Sequence, residues 1–342
     1  MIDDQSLQRL WYEGRPRWLL CLLVPLSLLF AIVVGVRRAL YRYGLLRTQR
    51  LSRPLLVIGN ITVGGTGKTP FVIWLTEYLQ GRGLRVGVVL RGYGGSSSHW
   101  PREVLADTPV IEVGDEAVLH ASRSRAIVVA GPDRVAAAAK AIELGADLVL
   151  SDDGLQHYRL ARDCEIAVID EQRGVGNGWL LPAGPLREPA SRLDGVDLIV
   201  RTQRSATAAS GSDHRHIAVR TQLGDAVSLL SGERRALESF QNGRVHAVAG
   251  IGNPQAFFSA LRAAGIEADT RAFADHAVLD ASDLAFDDDL PVLMTEKDAV
   301  KCLGFANAQH WYVRMDIEMS ETDVAALSRL IDRVLRARAE KR

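Results

Sequence analysis

The sequence carries no excess of charge of either sign: Lys+Arg and Asp+Glu both number 41 in 342 residues. That balance argues against nucleic acid as a partner and leaves any charged ligand to a local patch. Cysteine is scarce. Cys21, Cys164 and Cys302 stand far apart with no CxxC pairing, which argues against a disulfide framework or a zinc site and suits a reducing compartment. The N-K-x-D string that reads guanine is missing, and TEKD (Thr295–Asp298) has the wrong spacing. Cys/His clusters are also missing near the Gly-rich loop described below, which argues against a metal-delivery ATPase. What is present is a folded composition, 47% hydrophobic and 24% charged, long enough for two α/β domains.

One long apolar run stands near the start. Trp18 to Val36 reads WLLCLLVPLSLLFAIVVGV, and about 19 residues at about 1.5 Å each just reach across a hydrocarbon core of about 30 Å. Arg15 and Arg17 precede it, and Arg37, Arg38, Arg42, Arg47, Arg50 and Arg53 follow. The heavier basic side predicts that the rest of the chain is cytoplasmic. A signal peptide fits poorly, because Asp3, Asp4 and Glu13 precede the run and no A-x-A site follows. A buried core helix is the other alternative; the apolar character on every side and the terminal position favour membrane. Spanning and insertion into one leaflet are both open. Pro25 lies inside the run as a potential kink, and Ala39 to Arg53 suits either anionic headgroups or a plain linker.

Leu55 to Gly59 (LLVIG) reads as a short buried strand, followed by Asn60-Ile-Thr-Val-Gly-Gly-Thr-Gly-Lys-Thr-Pro70 and a helical pattern to Leu79. Strand, Gly-rich loop and helix in that order form the context of a P-loop. Backbone N–H groups of Thr62, Val63, Gly64, Gly65, Thr66, Gly67, Lys68 and Thr69 would cradle ATP phosphates at the helix N-terminus. Lys68 would reach the β/γ-phosphates, and Thr69 would hold Mg²⁺. The pattern G-x-x-x-x-G-K-[ST] is met except at its first position, where Thr62 replaces glycine. Ala146 to Leu150 is a second apolar strand, ending Ser151-Asp152-Asp153-Gly154. A carboxylate at such a strand end suits Mg²⁺, and two adjacent Asp allow one for metal and one for another task. Further strands are expected at 85–90, 126–130, 165–170 and 197–201, with a helix over 133–144, which predicts a parallel sheet with covered faces.

Several strings together resemble the tetraacyldisaccharide 4'-kinase family. They are GNITVGGTGKTP (Gly59–Pro70), RGYGG (Arg91–Gly95), VGDEA (Val113–Ala117), SDDGLQHYRLARDCEIAVID (Ser151–Asp170), LLPAGPLREP (Leu180–Pro189), VAGIGNPQAFF (Val248–Phe258), FADH (Phe273–His276) and LMTEKDAVKC (Leu293–Cys302). The resemblance implies transfer of the ATP γ-phosphate to the 4'-hydroxyl of tetraacyldisaccharide 1-phosphate, at the cytoplasmic face of the bacterial inner membrane, to form lipid IVA. It implies that Asp115 is the base and His276 its partner; Asp152 and Asp153 would bind Mg²⁺ and help place the hydroxyl, and which of the two touches the metal is open. Taken without it, Asp115 reads as a helix N-cap and His276 as a surface histidine. Arg187 and Glu188 sit in a Pro/Gly-rich loop where an Arg suits phosphate, against the alternative of a loop salt bridge. Gln156, His157 and Arg91 are candidates for the same edge, and Thr295 to Asp298 for the nucleotide or the hinge.

The expected architecture is α/β: a membrane helix and juxtamembrane segment over 1–50, a P-loop NTPase-type parallel sheet over 51–215, and a smaller α/β domain over 216–342 that closes on the site. Arg201 to Arg215 is expected as a polar loop, Ile217 to Leu230 and Val245 to Gly250 as strands, and Glu321 to Arg342 as an amphipathic helix. A membrane-tethered P-loop regulatory or partitioning ATPase is the competing function; it has no need of the GPLREP loop or of a distant histidine.

Overall fold

A computed structural model describes residues 4–203 and 215–340; most of the stretch expected as a loop over 201–215 lies outside them. The first series of strands is β1 (Leu55–Gly59), β2 (Val86–Leu90), β3 (Arg102–Val104), β4 (Ile127–Ala130), β5 (Leu148–Ser151), β6 (Cys164–Asp170) and β7 (Leu198–Gln203), apolar runs for the most part except the edge strand β3. A second series follows: β8 (His216–Ser228), β9 (Arg234–Arg235), β10 (Arg244–Ala249), β11 (Glu267–Ala272), β12 (Val292–Thr295) and β13 (His310–Met319). The helices are α1 (Asp4–Glu13), α2 (Arg17–Arg42), α3 (Lys68–Gly81), α4 (Val110–Val113), α5 (Asp115–Arg123), α6 (Arg134–Glu143), α7 (Pro254–Ala263), α8 (Glu296–Cys302) and α9 (Glu321–Ala339).

The described strands form one sheet in the order β11-β10-β12-β13-β8-β7-β6-β1-β5-β2-β4-β3, with β9 paired to β8. From β8 to β4 the pairing is parallel, and β3 closes that edge antiparallel. The run β11-β10-β12-β13 is also parallel. The junction is antiparallel: β8 and β13 pair from Trp311↔Ser228 to Met319↔Val219, with a register shift between Val313 and Met315. β8 leaves the first run and β13 returns to it. The strands parallel to each therefore aim their C-terminal ends at one another. Loops at C-terminal strand ends are where open α/β sheets bind ligands, and here two sets of them meet.

Fully buried side chains explain which elements hold. In the first half, Phe71 and Leu75 of α3, Val118 of α5 and Ile331 of α9 share one core with alternate residues of β1, β2 and β5. Burying one such side chain is worth about 1.5–3 kcal/mol. α9 ends the described chain yet packs on this core. The opposite sheet face is covered by Ala137, Ala138 and Ala141 of α6, whose small side chains let the helix approach closely. In the second half, Phe257, Phe258 and Leu261 of α7 cover one face and Ala299 and Cys302 of α8 the other.

α2 runs unbroken through Pro25. Leu19, Leu23 and Ser27, four residues apart, form a buried stripe on one face, while Leu22, Leu29, Ile32 and Val33 on the remainder are exposed. The stripe docks on the loop over 177–187. Ser27 Oγ donates to the Leu180 carbonyl (2.7 Å) and accepts from the Ala183 N–H (2.9 Å). Trp11 Nε1 of α1 donates to the Pro182 carbonyl at 2.9 Å. Further along, Arg37 donates to the Gln156 carbonyl (3.2 Å), and the Tyr41 ring lies 5.8 Å from that of Tyr158. The span Trp18–Arg42 is long and apolar enough to cross a bilayer, with a mean hydropathy of 2.9 and only 17% of its most apolar window buried.

Candidate active site

The loop after β1 turns into α3 at Gly67, whose φ of 77° and close approach to Thr202 (a Cβ would sit 3.1 Å from its Cγ2) both call for glycine. The departure at Thr62 has a structural reason. Thr62 bridges to Leu186, the Val63 N–H donates to the Pro185 carbonyl (2.8 Å), and the Arg187 N–H donates to Ile61 (2.7 Å). The first part of the loop is thus pinned to the PAGPLREP segment, and the Val63 N–H is already used. Gly64 to Thr69 are the part left to face phosphates. The Thr66 hydroxyl is buried with no partner in the protein.

Lys68 Nζ donates to Asn60 Oδ1 at 3.1 Å and to Asp153. Arg187 Nη1 reaches the same carboxylate at 2.9 and 3.2 Å. Burial alone would raise the Asp153 pKa; the two cations outweigh it and hold the group well below the usual carboxylate range. Asp152 beside it is buried, and its Oδ2 lies 3.1 Å from Nε2 of the fully buried His120. Its Oδ1 has no partner in the protein. One carboxylate oxygen at the strand end is therefore free while Asp153 is committed to cations. This fits Mg²⁺, which takes one or two carboxylates and completes its shell with phosphate and water oxygens. Among the described residues no group of three or more His, Cys, Asp or Glu forms a cage for a metal held by protein alone.

The Asp115–His276 pair forms across the junction, 161 residues apart in sequence, with His276 Nδ1 3.1 Å from both carboxylate oxygens. Asp115 opens α5 and is buried; Gly114 before it has φ 86°, and a Cβ there would lie 2.2 Å from the Tyr93 carbonyl. Burial pushes the Asp115 pKa up, but His276, Lys297 and Lys301 pull it further down. The hydrogen bond to Asp115 raises that of His276, against a smaller opposing effect of burial. Each group thus favours the charged form of the other. Asp153 (φ 50°) and His276 (φ 59°) are the only non-glycine residues with positive φ among those described. Such strain costs about 1–3 kcal/mol each and concentrates at working sites.

Two lysines of α8 surround this pair. Lys297 Nζ sits 3.3 Å from His276 Nε2, 3.2 Å from Asp275 and 3.5 Å from Glu116, while Lys301 Nζ is 3.6 Å from Asp115 and 2.9 Å from Asp298. Arg123, at the far end of α5, pairs with the buried Glu296. Three charge pairs thus tie α5 to α8 along their length. The loop after β10 also reaches the P-loop, since a Cβ on Gly252 would lie 4.0 Å from the Gly65 nitrogen.

The other sequence candidates fall in two groups. His157, whose pKa burial and Arg134 push down to about 4, stands among Arg134, Asp153 and Arg91. Glu188 does not join the cations: it is buried, accepts from Gln156 Nε2 (3.0 Å) and from the Tyr158 hydroxyl, and its pKa is raised by burial. It anchors the loop that carries Arg187. Sequence reasoning missed Arg134 and Lys301. Arg134 is buried, donates to the Asp152 carbonyl at 2.9 Å, leaves Nε and Nη1 unpartnered in the protein, and has a pKa lowered by burial to about 10. Lys301 had a usable signal, its spacing one helical turn after Lys297.

The sequence profile of the family described as tetraacyldisaccharide-1-P 4'-kinase matches residues 19–336. The chain is 49% identical over 322 residues to a tetraacyldisaccharide 4'-kinase of Nitrosococcus oceani, covering 93% of this chain and 92% of that one. It is 47% identical over 337 residues to one from Pseudomonas aeruginosa, covering 98% and 99%. Its fold is similar to a crystal structure titled as the "apo" form of LpxK from Aquifex aeolicus in complex with ATP. The TM-score is 0.78 at 27% identity, covering 93% of this chain and 99% of that chain.

Proposed function

The chain belongs to the tetraacyldisaccharide-1-phosphate 4'-kinase family, and from that premise we propose that it transfers the γ-phosphate of ATP to the 4'-hydroxyl of tetraacyldisaccharide 1-phosphate, giving lipid IVA and ADP. The observation that carries the reading is the meeting of Asp115 and His276 from opposite halves of the sheet, in a fold whose β10 loop also reaches the P-loop, a Cβ on Gly252 lying 4.0 Å from the Gly65 nitrogen and 3.2 Å from Asp275.

In this mechanism Gly64 to Thr69 hold the β- and γ-phosphates. Lys68 and Arg187 stabilise charge on the transferring group, which is the main task in phosphoryl transfer. Asp115 takes the proton as the 4'-oxygen forms its bond to the γ-phosphorus and the bond to the bridging oxygen of ADP breaks. His276, with Nδ1 at 3.1 Å from both carboxylate oxygens, orients and steadies the carboxylate. Asp153 positions Lys68 and Arg187 and the incoming hydroxyl. Thr69 and Asp152 would hold Mg²⁺, which supplies charge neutralisation across the phosphates. A smaller domain drawn from 216–342, apart from α9, which packs on the first core, would close on the domain over 51–215 and bring His276 onto Asp115. A regulatory ATPase has no use for this base.

The enzyme sits at the cytoplasmic face of the inner membrane in this reading. The docked contacts of α2 stand at both ends, Leu19 to Ser27 and Arg37 to Tyr41, and its exposed apolar side is left for lipid. That favours insertion into one leaflet over spanning. The test is purified protein in detergent with Mg-ATP and tetraacyldisaccharide 1-phosphate: label passing from the γ-position to the lipid supports the reading, and ATP hydrolysis without lipid labelling refutes it.

A further inference from the structure

The string TEKD (Thr295–Asp298) stands where the two halves of the sheet join. β7 pairs with β8 as far as Gln203↔Arg220, and β12 pairs with β13 as far as Thr295↔Val313. Between those points, among the described residues, the ladder partners of 221–225 in β8 lie only in β13, and those of 314–317 only in β8. The register shift falls inside this two-stranded bridge: Gly224 and Asp225 stand opposite the single residue Arg314. A bulge of this kind bends and twists its strand, so the bridge is where the angle between the halves is set. A Cβ on Gly224 would lie 2.2 Å from Asp316 Oδ2, so the Asp316 carboxylate folds across the bulge.

α5 from the first half and α8 from the second run past each other in opposite directions. Asp115, opening α5, lies against Lys301 near the end of α8; Arg123, ending α5, lies against Glu296, which opens α8. The Arg123 guanidinium donates to Glu296 and lies 3.4 Å from Asp316, while the other Glu296 oxygen accepts the Met315 N–H at 2.9 Å. One side chain of the first half thus holds both the second half and the bridge. The Arg123 and Glu296 side chains are 10% and 7% exposed, whereas Lys297 and Glu116, 3.5 Å apart further along, are 17% and 38% exposed. A partly exposed pair opens at little cost and a buried one does not. A planar fork facing two carboxylates also fixes direction, where an apolar contact would slide.

We propose that Arg123, Glu296 and Asp316 form the pivot of the closing motion: positioning residues, remote from the reacting groups, that set the angle at which His276 is brought to Asp115. Arg123 stands eight residues after Asp115, about 12 Å along the helix at about 1.5 Å each. A tilt of about 5° at the pivot shifts the far end by about 1 Å, and misplacement of that size costs about 10²-fold in rate. The kinetic arm of the test rests on the kinase reading; the distance arm does not.

The test compares wild type with Arg123→Lys, which keeps the charge and loses the fork, and with Glu296→Gln, which keeps an oxygen for Met315 and loses the charge. Spin labels at two exposed positions, Ala139→Cys in α6 and Ser259→Cys in α7, in a Cys21→Ser background that removes the exposed native thiol, report the distance between the halves with Mg²⁺ and a non-hydrolysable ATP analogue. Both variants, checked as folded by thermal melting, are expected to show a shifted or broader distance distribution and a kcat for lipid phosphorylation about 10²-fold lower, with KM for ATP little changed. A purely stabilising pair would lower Tm and move neither readout. Arg220→Ala removes an exposed pair with Glu318 on the same two strands and should leave both readouts at wild-type values. A wild-type distribution in the folded variants overturns the pivot, and so does a shifted distribution with unaltered kcat. Should changing the buried pair unfold the protein, Asp316→Asn, at a partly exposed side chain, decides: it should move both readouts in the same direction by less, and no movement overturns the proposal. Failure of the wild type to label the lipid refutes the kinase reading and leaves the distances to judge the pivot.

Discussion

Removing the His276 ring tests how the base is held. The imidazole gives Asp115 a charge-assisted contact at 3.1 Å to both oxygens, and such bonds contribute about 1.5–3 kcal/mol. Its loss lets the Asp115 pKa rise. The carboxylate also loses its orientation, and positioned general bases contribute about 10²–10⁴-fold. His276→Ala is therefore expected to lower kcat by about 10²-fold or more and to move the acid limb of the kcat/KM–pH profile upward. His276→Asn is the informative partner. Asn tolerates the positive φ of 59° found here, and its amide N–H can replace the Nδ1 donor. If the ring acts by orientation, His276→Asn recovers most of the loss. The assay is initial-rate transfer to the lipid acceptor from pH 5 to 9, with melting curves for all three proteins. Equal inactivity of Asn and Ala variants, both folded, would refute positioning and require the ring to carry the proton.

Three other outcomes follow from particular contacts. The raised His276 pKa contributes stability that is complete below its unfolded value near 6.5 and is lost as pH rises through the folded value. The lowered Asp115 pKa contributes only above its own unfolded value near 4. Thermal unfolding should show His276→Ala more destabilising at pH 6 than at pH 9. Ser27→Val strands the buried Ala183 N–H, while the Leu180 carbonyl keeps the Gly184 N–H at 3.0 Å; at about 1–3 kcal/mol for the unsatisfied group it should lower Tm and kcat together by loosening the loop that carries Arg187. Arg123→Ala leaves Glu296 buried without its cation, and chemical denaturation should show a loss of about 3–5 kcal/mol.

Strands fully buried in a parallel sheet were the most legible part of the sequence. LLVIG, VGVVL and IVVA are continuous apolar runs between turn residues, and a run of that kind has few other fates. β13 (HWYVRMDIEM) and β11 (EADTRA) were not read as strands, because each is partly exposed and carries charges. Missing β13 hid the junction, since its pairing with β8 joins segments about ninety residues apart that no local pattern connects. The P-loop and the paired Asp152 and Asp153 were legible from spacing. Asp115 and His276 were not: a carboxylate opening a helix and a lone histidine are common, and only the family resemblance joined them. Arg134 escaped because burial of a charge leaves no periodicity, and Glu188 was misjudged because its inward turn depends on Gln156 and Tyr158, about thirty residues earlier.

The central claim, that Asp115 is the base in a lipid-sugar kinase, is tested most directly by single-turnover transfer with Asp115→Asn. The variant should bind Mg-ATP and the lipid acceptor as the wild type does while γ-phosphate transfer falls by about 10²–10⁴-fold. Transfer within about tenfold of wild type, with binding unchanged, would contradict the claim and move the base elsewhere in the site.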